Sequence, residues 1–344
     1  TISGARECST PHMFQVGGML SGPSLERAEL QASIDMAQRS VKVAGDVHQL
    51  KLDADLIAWV TAYAGNWVGP SVMSGVLNGQ FDIEHRLGSG EPPTIEANCQ
   101  LTGGRLEDPR LPRPVTQLAG TIKCQQNRLK VESLQGNCGS ANVVRSMERN
   151  GWSAAATLAL VAQVDSLPLD KKLYNVMPPI IRREWDKYLP TGVVDAQLRL
   201  TFDGRRWLPQ AALLGRDLAF ESDKFRYRVS DGSGTMTYHT FDDGQPARLD
   251  IDLMAMGGGR PLKIQGQVFD PAPRARGWID ITGQNVKIEK RMIAALPEKT
   301  RKVIESLHPE GNMNVHWHMK RHIAGQPKFE KSLELELIEG RVNY

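Results

Sequence analysis

Leu167-Pro-Leu-Asp170-Lys-Lys-Leu173 is followed by Pro178, Pro190, Gly192 and Val193-Val-Asp-Ala-Gln-Leu-Arg-Leu200. The same order returns as Val286-Lys-Ile-Glu289-Lys-Arg-Met292, then Pro297, Pro309, Gly311 and Asn312-Met-Asn-Val-His-Trp-His-Met319. A sparser copy precedes both: Leu50-Lys-Leu-Asp53, then Gly75-Val-Leu-Asn-Gly-Gln-Phe-Asp-Ile83. In all three, 22 residues separate the acid from the glycine (53 to 75, 170 to 192, 289 to 311). The acids recur at intervals of 117 and 119, and the paired prolines at 119. So many matches in one register mark an internal repeat, which decides the fold before any single element does.

A second motif lies between these landmarks. Leu111-Pro-Arg-Pro-Val-Thr-Gln-Leu-Ala-Gly120-Thr-Ile122 matches Phe225-Arg-Tyr-Arg-Val-Ser-Asp-Gly-Ser-Gly234-Thr-Met236. Gly104-Arg105 and Gly215-Arg216 introduce the two, and Gly340-Arg341 would introduce a third. The expected division is a partial unit over residues 11–104, full units over 105–215 and 216–325, and the start of another over 326–344. The chain is read as a segment of a larger protein.

Most of each unit alternates with a period of two, the signature of half-buried strands. Val194, Ala196, Leu198 and Leu200 oppose Asp195, Gln197 and Arg199. Leu249, Ile251 and Leu253 oppose Asp250 and Asp252. Leu262 and Ile264 continue the pattern, as do Met313, Val315, Trp317 and Met319, then Leu333, Leu335 and Leu337. Asp203-Gly204, Asp243-Gly244 and Gly257-Gly-Gly-Arg260 read as turns. The segments 170–188 and 289–307 instead show helical spacing. Asp170 and Glu289 sit at the N-termini, Pro178-Pro179 and Pro297 interrupt, and Pro190 and Pro309 stop the run. The predicted fold class is mainly β with short helices. No Gly/Ser- or Pro-rich linker separates the units, so they are expected to stack on one continuous, elongated antiparallel sheet of about three repeats.

Composition excludes several functions. A net charge of +3 on 344 residues is close to balance and does not suit a nucleic-acid binder. No nucleophile–base pair, paired-carboxylate arrangement, zinc-protease motif or phosphate loop is present, so the chain is not read as an enzyme, and no cofactor is expected. His316, His318 and His322 form H-x-H-x3-H; His316 and His318 share the polar side of their strand, and the histidines read as solvated rather than as a metal site. Arg182-Arg183 and Arg301-Lys302 recur on the helices, where they could meet lipid phosphates or simply face water. Cys8, Cys99, Cys124 and Cys138 form no CxxC pair. Cys124 and Cys138 flank a candidate hairpin, and either pairing or four free thiols fits the spacing.

Three elements together resemble the AsmA-like bacterial envelope proteins, relatives of TamB. They are the Pro…Val…Gly-Thr-Ile segment ending at Ile122, Leu129-Lys-Val-Glu-Ser-Leu-Gln-Gly136-Asn-Cys-Gly139, and the Leu-Pro-Leu-Asp170…Pro-x-Gly192 run. The resemblance implies a curved, repeating β-groove. It also implies a periplasmic protein anchored in the inner membrane through regions outside this chain, which passes phospholipid toward the outer membrane. The groove candidates are then Val194, Ala196, Leu198, Leu200, Leu249, Ile251, Leu253, Leu262, Ile264, Val315 and Trp317. The alternative is a structural or assembly scaffold that docks envelope polypeptides on exposed strand edges.

Overall fold

The structure is a computed structural model and describes residues 2–7, 12–58, 71–90, 93–151, 153, 155–222, 225–272, 275–296, 298–325 and 329–341. It is mainly antiparallel β with short helices, as the alternation predicts. The chain divides into two compact units, residues 1–163 with 199–207, and residues 164–198 with 208–344.

In the first unit, nine strands form a meander in which each pairs antiparallel with the next. They are β1 (Ile2–Glu7), β2 (Met13–Gly22), β3 (Leu25–Asp35), β4 (Ser40–Leu52), β5 (Val72–Arg86), β6 (Thr94–Glu107), β7 (Val115–Gln125), β8 (Arg128–Cys138) and β9 (Ala141–Asn150). β10 (Thr157–Pro168) and β11 (Thr191–Phe202) each run from one unit into the other. In the second unit β12 (Trp207–Ser222), β13 (Phe225–His239), β14 (Arg248–Gly257), β15 (Arg260–Phe269), β16 (Arg276–Lys287), β17 (Glu310–Arg321) and β18 (Glu330–Arg341) again pair in sequence. Helices α1 (Lys171–Val176) and α2 (Pro179–Tyr188) precede β11, and α3 (Lys290–Ala294) and α4 (Glu298–Ser306) precede β17. The first copy has a helical turn at residues 54–58, and its continuation lies outside the described residues.

The repeat is written in the backbone. Gln49, Ser166 and Asn285 adopt positive φ of 54°, 60° and 54° at intervals of 117 and 119. Few non-glycine residues tolerate that region. Each peptide N–H is held by a side-chain oxygen 29 positions on: Asn78 Oδ1 at 2.9 Å, Asp195 Oδ1 at 2.7 Å and Asn314 Oδ1 at 3.0 Å. In the first and third copies the strand register slips at this point, so the residue is a β-bulge whose freed donor needs that acceptor. The landmark acids Asp53, Asp170 and Glu289 each follow four residues later. Gly75 has φ 157° within β5, and Gly192 and Gly311 have φ 124° and 114° at the second position of the strands that follow the helices. At Gly192 an added Cβ would lie 2.6 Å from the Asp217 carbonyl oxygen, so glycine is required there by conformation and by space. Leu169 and Ile288 donate to the carbonyls of Gly192 and Gly311 in the same manner. Helices α2 and α4 are followed by Leu189 and His308, both at φ 42°. Pro178 precedes Pro179 at the first position of α2, as its fixed φ favours; Pro297 lies outside the described residues.

One expected alignment is corrected. Gly104 does not correspond to Gly215. Leu101 pairs with Gly120 and Gly104 with Leu118, while Gly215 pairs with Gly234 and Leu218 with Gly232. Large and small residues have exchanged places across the bulge, so a leucine packs on a glycine in both copies. Gly104 lies against Leu118 and Gly232 against Leu218. Gly215-Arg216 thus matches Gly104-Arg105 only in letters, whereas Gly104-Arg105 and Gly340-Arg341 do correspond, since Ser74 pairs with Arg105 as Glu310 pairs with Arg341, and Gly120 and Gly234 correspond as expected. Gly258 and Gly259, at φ 59° and 71°, make the predicted turn, which spans two residues between Gly257 and Arg260. Asp203 closes a short turn by accepting from the Arg205 and Arg206 amides. Asp243-Gly244 sits instead inside a longer loop between β13 and β14.

Candidate functional site

Residues directly opposite one another on antiparallel strands point to the same face. Reading the registers across the second unit therefore sorts its side chains. One row runs Leu253, Ile264, Ile281, Trp317, Leu333 and the next Ala255, Leu262, Gly283, Val315, Leu335. A third is Ile251, Gly266, Ile279, Met319, and a fourth is Leu249, Val268, Gly277, Arg321. The reverse face carries Asp252, Gln265, Asp280, His318 and Ser332, beside Lys263, Thr282, His316 and Glu334. The sheet is apolar on one side and polar on the other. Seven expected groove residues, Leu249, Ile251, Leu253, Leu262, Ile264, Val315 and Trp317, share the apolar side.

Cover over that face is graded. Tyr227, Val229, Ala255, Leu262 and Val286 form a buried cluster, with Met292 and Ala295 of the α3 segment packed on it. The Tyr227 hydroxyl accepts from the Gly258 amide at 2.5 Å and donates to Glu289 at 3.2 Å, pinning the turn and the helix start together. Burial raises the Tyr227 pKa, which keeps the hydroxyl protonated. Farther along, Leu249, Ile251, Leu253, Val315 and Trp317 are only half-buried. Leu333, Leu335 and Leu337 are 48%, 43% and 48% exposed. Of the remaining candidates, Val194 and Ala196 are buried at 7% and 4%, whereas Leu198 and Leu200 are exposed. β11 passes between units after Leu198, so Leu200 belongs to the first.

The first unit is built alike, which the sequence reading did not single out. Val16, Ala32, Val43, Ile83 and Ile95 form one apolar row; Leu30, Phe81, Ala97, Cys124 and Leu129 lie in the next. The opposite side carries Ser33, Lys42, Glu84 and Thr94 in register. On it Glu132 bridges Lys123 and Lys130, both at 2.7 Å. Hydrogen bonds from those two ammonium groups hold the Glu132 carboxyl at about 2. The alternation Val41, Val43, Val47 and Ile95, Ala97, Cys99, Leu101 was the signal available in the sequence.

The other candidates settle elsewhere. His318 Nδ1 and His316 Nε2 lie 2.6 and 3.3 Å from one Asp280 oxygen on the polar face. Among the described residues no group of three His, Cys, Asp or Glu is placed to hold a metal ion. Arg301 pairs with Glu305 and Lys302 with Glu298 along α4. Cys99, Cys124 and Cys138 are free thiols. Cys124 faces Leu129 and Cys138 faces Val115, at opposite ends of one hairpin. Nine residues at about 3.3 Å each put them roughly 30 Å apart, far beyond disulfide reach. Cys8 lies outside the described residues. Among the described residues no helix is long and apolar enough to cross a membrane. Comparison with protein families, curated proteins and solved structures returns no match to this chain.

Proposed function

We propose that this chain is a lipid-carrying segment of an AsmA-like, TamB-related envelope protein, whose apolar sheet faces hold the acyl chains of phospholipid passing between inner and outer membranes in the periplasm. One observation carries the reading. Both units present an amphipathic sheet, and helices cover only part of the apolar side in the second. An apolar face must be covered by helices, a second sheet or a ligand. Each methylene taken out of water onto such a face contributes about 0.8 kcal/mol, so an acyl chain is a sufficient ligand.

The test is native mass spectrometry of the purified chain, followed by crosslinking to a phospholipid with a photoactivatable acyl chain. Co-purified phospholipid and labelling of Leu333 or Leu335 are expected. Leu335→Glu should abolish labelling there and leave the fold intact, because its side chain already meets water. A chain free of lipid that retains a peptide along a strand edge would replace this reading with the scaffold.

A further inference from the structure

Arg145 stands where the corresponding strand carries hydrocarbon. β8 and β9 pair Leu134 with Arg145, Gly136 with Val143 and Cys138 with Ala141. β14 and β15 pair Leu253 with Ile264, Ala255 with Leu262 and Gly257 with Arg260. The two hairpins correspond residue for residue at an interval of 119, so Arg145 is the counterpart of Ile264, which is 7% exposed. Along β9, Ala141, Val143, Arg145 and Met147 alternate onto the apolar face, and the first two are buried.

The guanidinium has no hydrogen bond or ion pair to any described residue. Its surroundings disfavour its charge by desolvation. The acid acting on it is Asp108, but that carboxylate is already engaged by Arg110 at 2.6 and 2.9 Å and by the Ser71 hydroxyl. Two other arginines on the apolar faces find partners for part of their guanidinium. Arg321 lies over the Phe329 ring at 3.7 Å and donates to the Ala275 carbonyl, and Arg149 donates to the carbonyls of Gly151 and Ser153. A guanidinium drawn partly out of water without a partner is unfavourable until an anion arrives. Its planar fork of donors matches a phosphate or carboxylate bidentately. With hydrocarbon on either side, the anion that fits is one attached to an apolar chain.

We propose that Arg145 anchors the anionic head of an amphiphile, a phosphate or carboxylate on a hydrocarbon tail, with the tail lying along the apolar face of the first unit. The inference rests on the lipid-binding reading and adds the sign and attachment point of the headgroup.

Calorimetric titration of the whole chain below the critical micelle concentration tests it, with dodecyl phosphate, dodecyltrimethylammonium, dodecyl maltoside and inorganic phosphate as probes. Dodecyl phosphate should bind at least about tenfold more tightly than the cationic probe, as expected for a charge-assisted bidentate contact. Arg145→Ile, which installs the residue of the corresponding strand, should erase that preference and leave dodecyl maltoside affinity unchanged. Arg145→Lys should keep part of it. An unchanged preference in Arg145→Ile overturns the anchor while the lipid reading stands. Inorganic phosphate competing as well as dodecyl phosphate overturns it in favour of a free-anion site. A dimer in sedimentation that depends on Arg145 overturns it in favour of a second copy. No binding of any dodecyl chain removes the lipid reading and the anchor together.

Discussion

The helical inserts before β11 and β17 differ in side-chain chemistry and agree in backbone. Asp170 caps α1 directly, its Oδ1 accepting from the Lys172 and Leu173 amides at 3.0 Å. Glu289, in the same place, caps nothing; it reaches across to Arg291 at 2.6 Å and to the Tyr227 hydroxyl. Yet Ser166 and Asn285, Gly192 and Gly311, and Leu189 and His308 keep the same sign of φ. The comparison separates two kinds of constraint. Backbone conformations that let the chain leave a strand, turn through a helix and re-enter the sheet are fixed by covalent geometry. The side chains that fasten the insert need only find some partner.

The largest effect should appear where the two corresponding hairpins disagree. Ile264→Arg places in the second unit the residue that its counterpart Arg145 carries in the first. Ile264 is buried, with Leu253 and Ile281 beside it in the row. Burying a charge there without a partner should lower stability by about 4 kcal/mol, read from urea denaturation. Arg145→Ile should be neutral or stabilising. Equal losses for the two variants would mean the hairpins are not equivalent environments.

Next in size is Gly192→Ala. A φ of 124° combined with a Cβ 2.6 Å from the Asp217 carbonyl should cost about 3 kcal/mol. Gly244 separates the two contributions, because it has φ 82° and nothing within 4 Å of an added Cβ. Gly244→Ala should therefore cost only about 1 kcal/mol, from conformation alone. A similar loss at both positions would show that the crowding at Gly192 relaxes freely.

These landmarks also explain what could be read in the sequence. Positive φ and helix-stopping prolines restrict residue choice so strongly that glycine, proline and acid recur at fixed intervals, and the repeat shows through. Alternation revealed the strands for the same reason, since a half-buried strand has only two kinds of position. The apolar face of the first unit was harder to see. Its rows pass through Gly18, Gly45, Gly79 and Cys99, small residues that contribute little apolar signal while their neighbours fill the face. The Gly104–Gly215 alignment failed because Leu118 and Gly232 exchange sizes with Gly104 and Leu218 across a strand pair, and no single strand records that exchange. Arg145 was invisible as an anomaly until the register set it opposite Leu134 and in line with Ile264.

A smaller effect should follow from the bulge acceptors. Asn314→Ala removes the oxygen that holds the Asn285 amide at 3.0 Å and should cost about 1 kcal/mol, with faster hydrogen exchange at Asn285 than elsewhere in β16. Asp195→Asn keeps an acceptor for Ser166 and loses only the ion pair with Arg216, so its amide exchange should stay slow. Rapid exchange at Ser166 in Asp195→Asn would mean that charge, rather than the acceptor position shared by the three copies, holds the bulge.

The smallest effect belongs to the polar face, where the two units again differ. Each has a carboxylate between two nitrogen bases, Glu132 with Lys123 and Lys130, and Asp280 with His318 and His316. The acid response of the first cluster is followed at Glu132. Its carboxyl lies near 2 in the folded chain because hydrogen bonds from Lys123 and Lys130 favour the ionised form, against an ordinary value of 4.5. A depressed folded pKa means the stabilisation is complete above about 4.5 and fades as the pH falls toward about 2. The group is half-exposed and screened by solvent, so the change should be small and should shrink further in high salt. Urea midpoints measured at pH 6 and pH 3 in low salt should show a slightly steeper acid loss for the wild type than for Glu132→Gln, which has no proton to gain. Identical slopes for the two proteins would mean the lysines contribute no more to the folded sheet than they do to the unfolded chain.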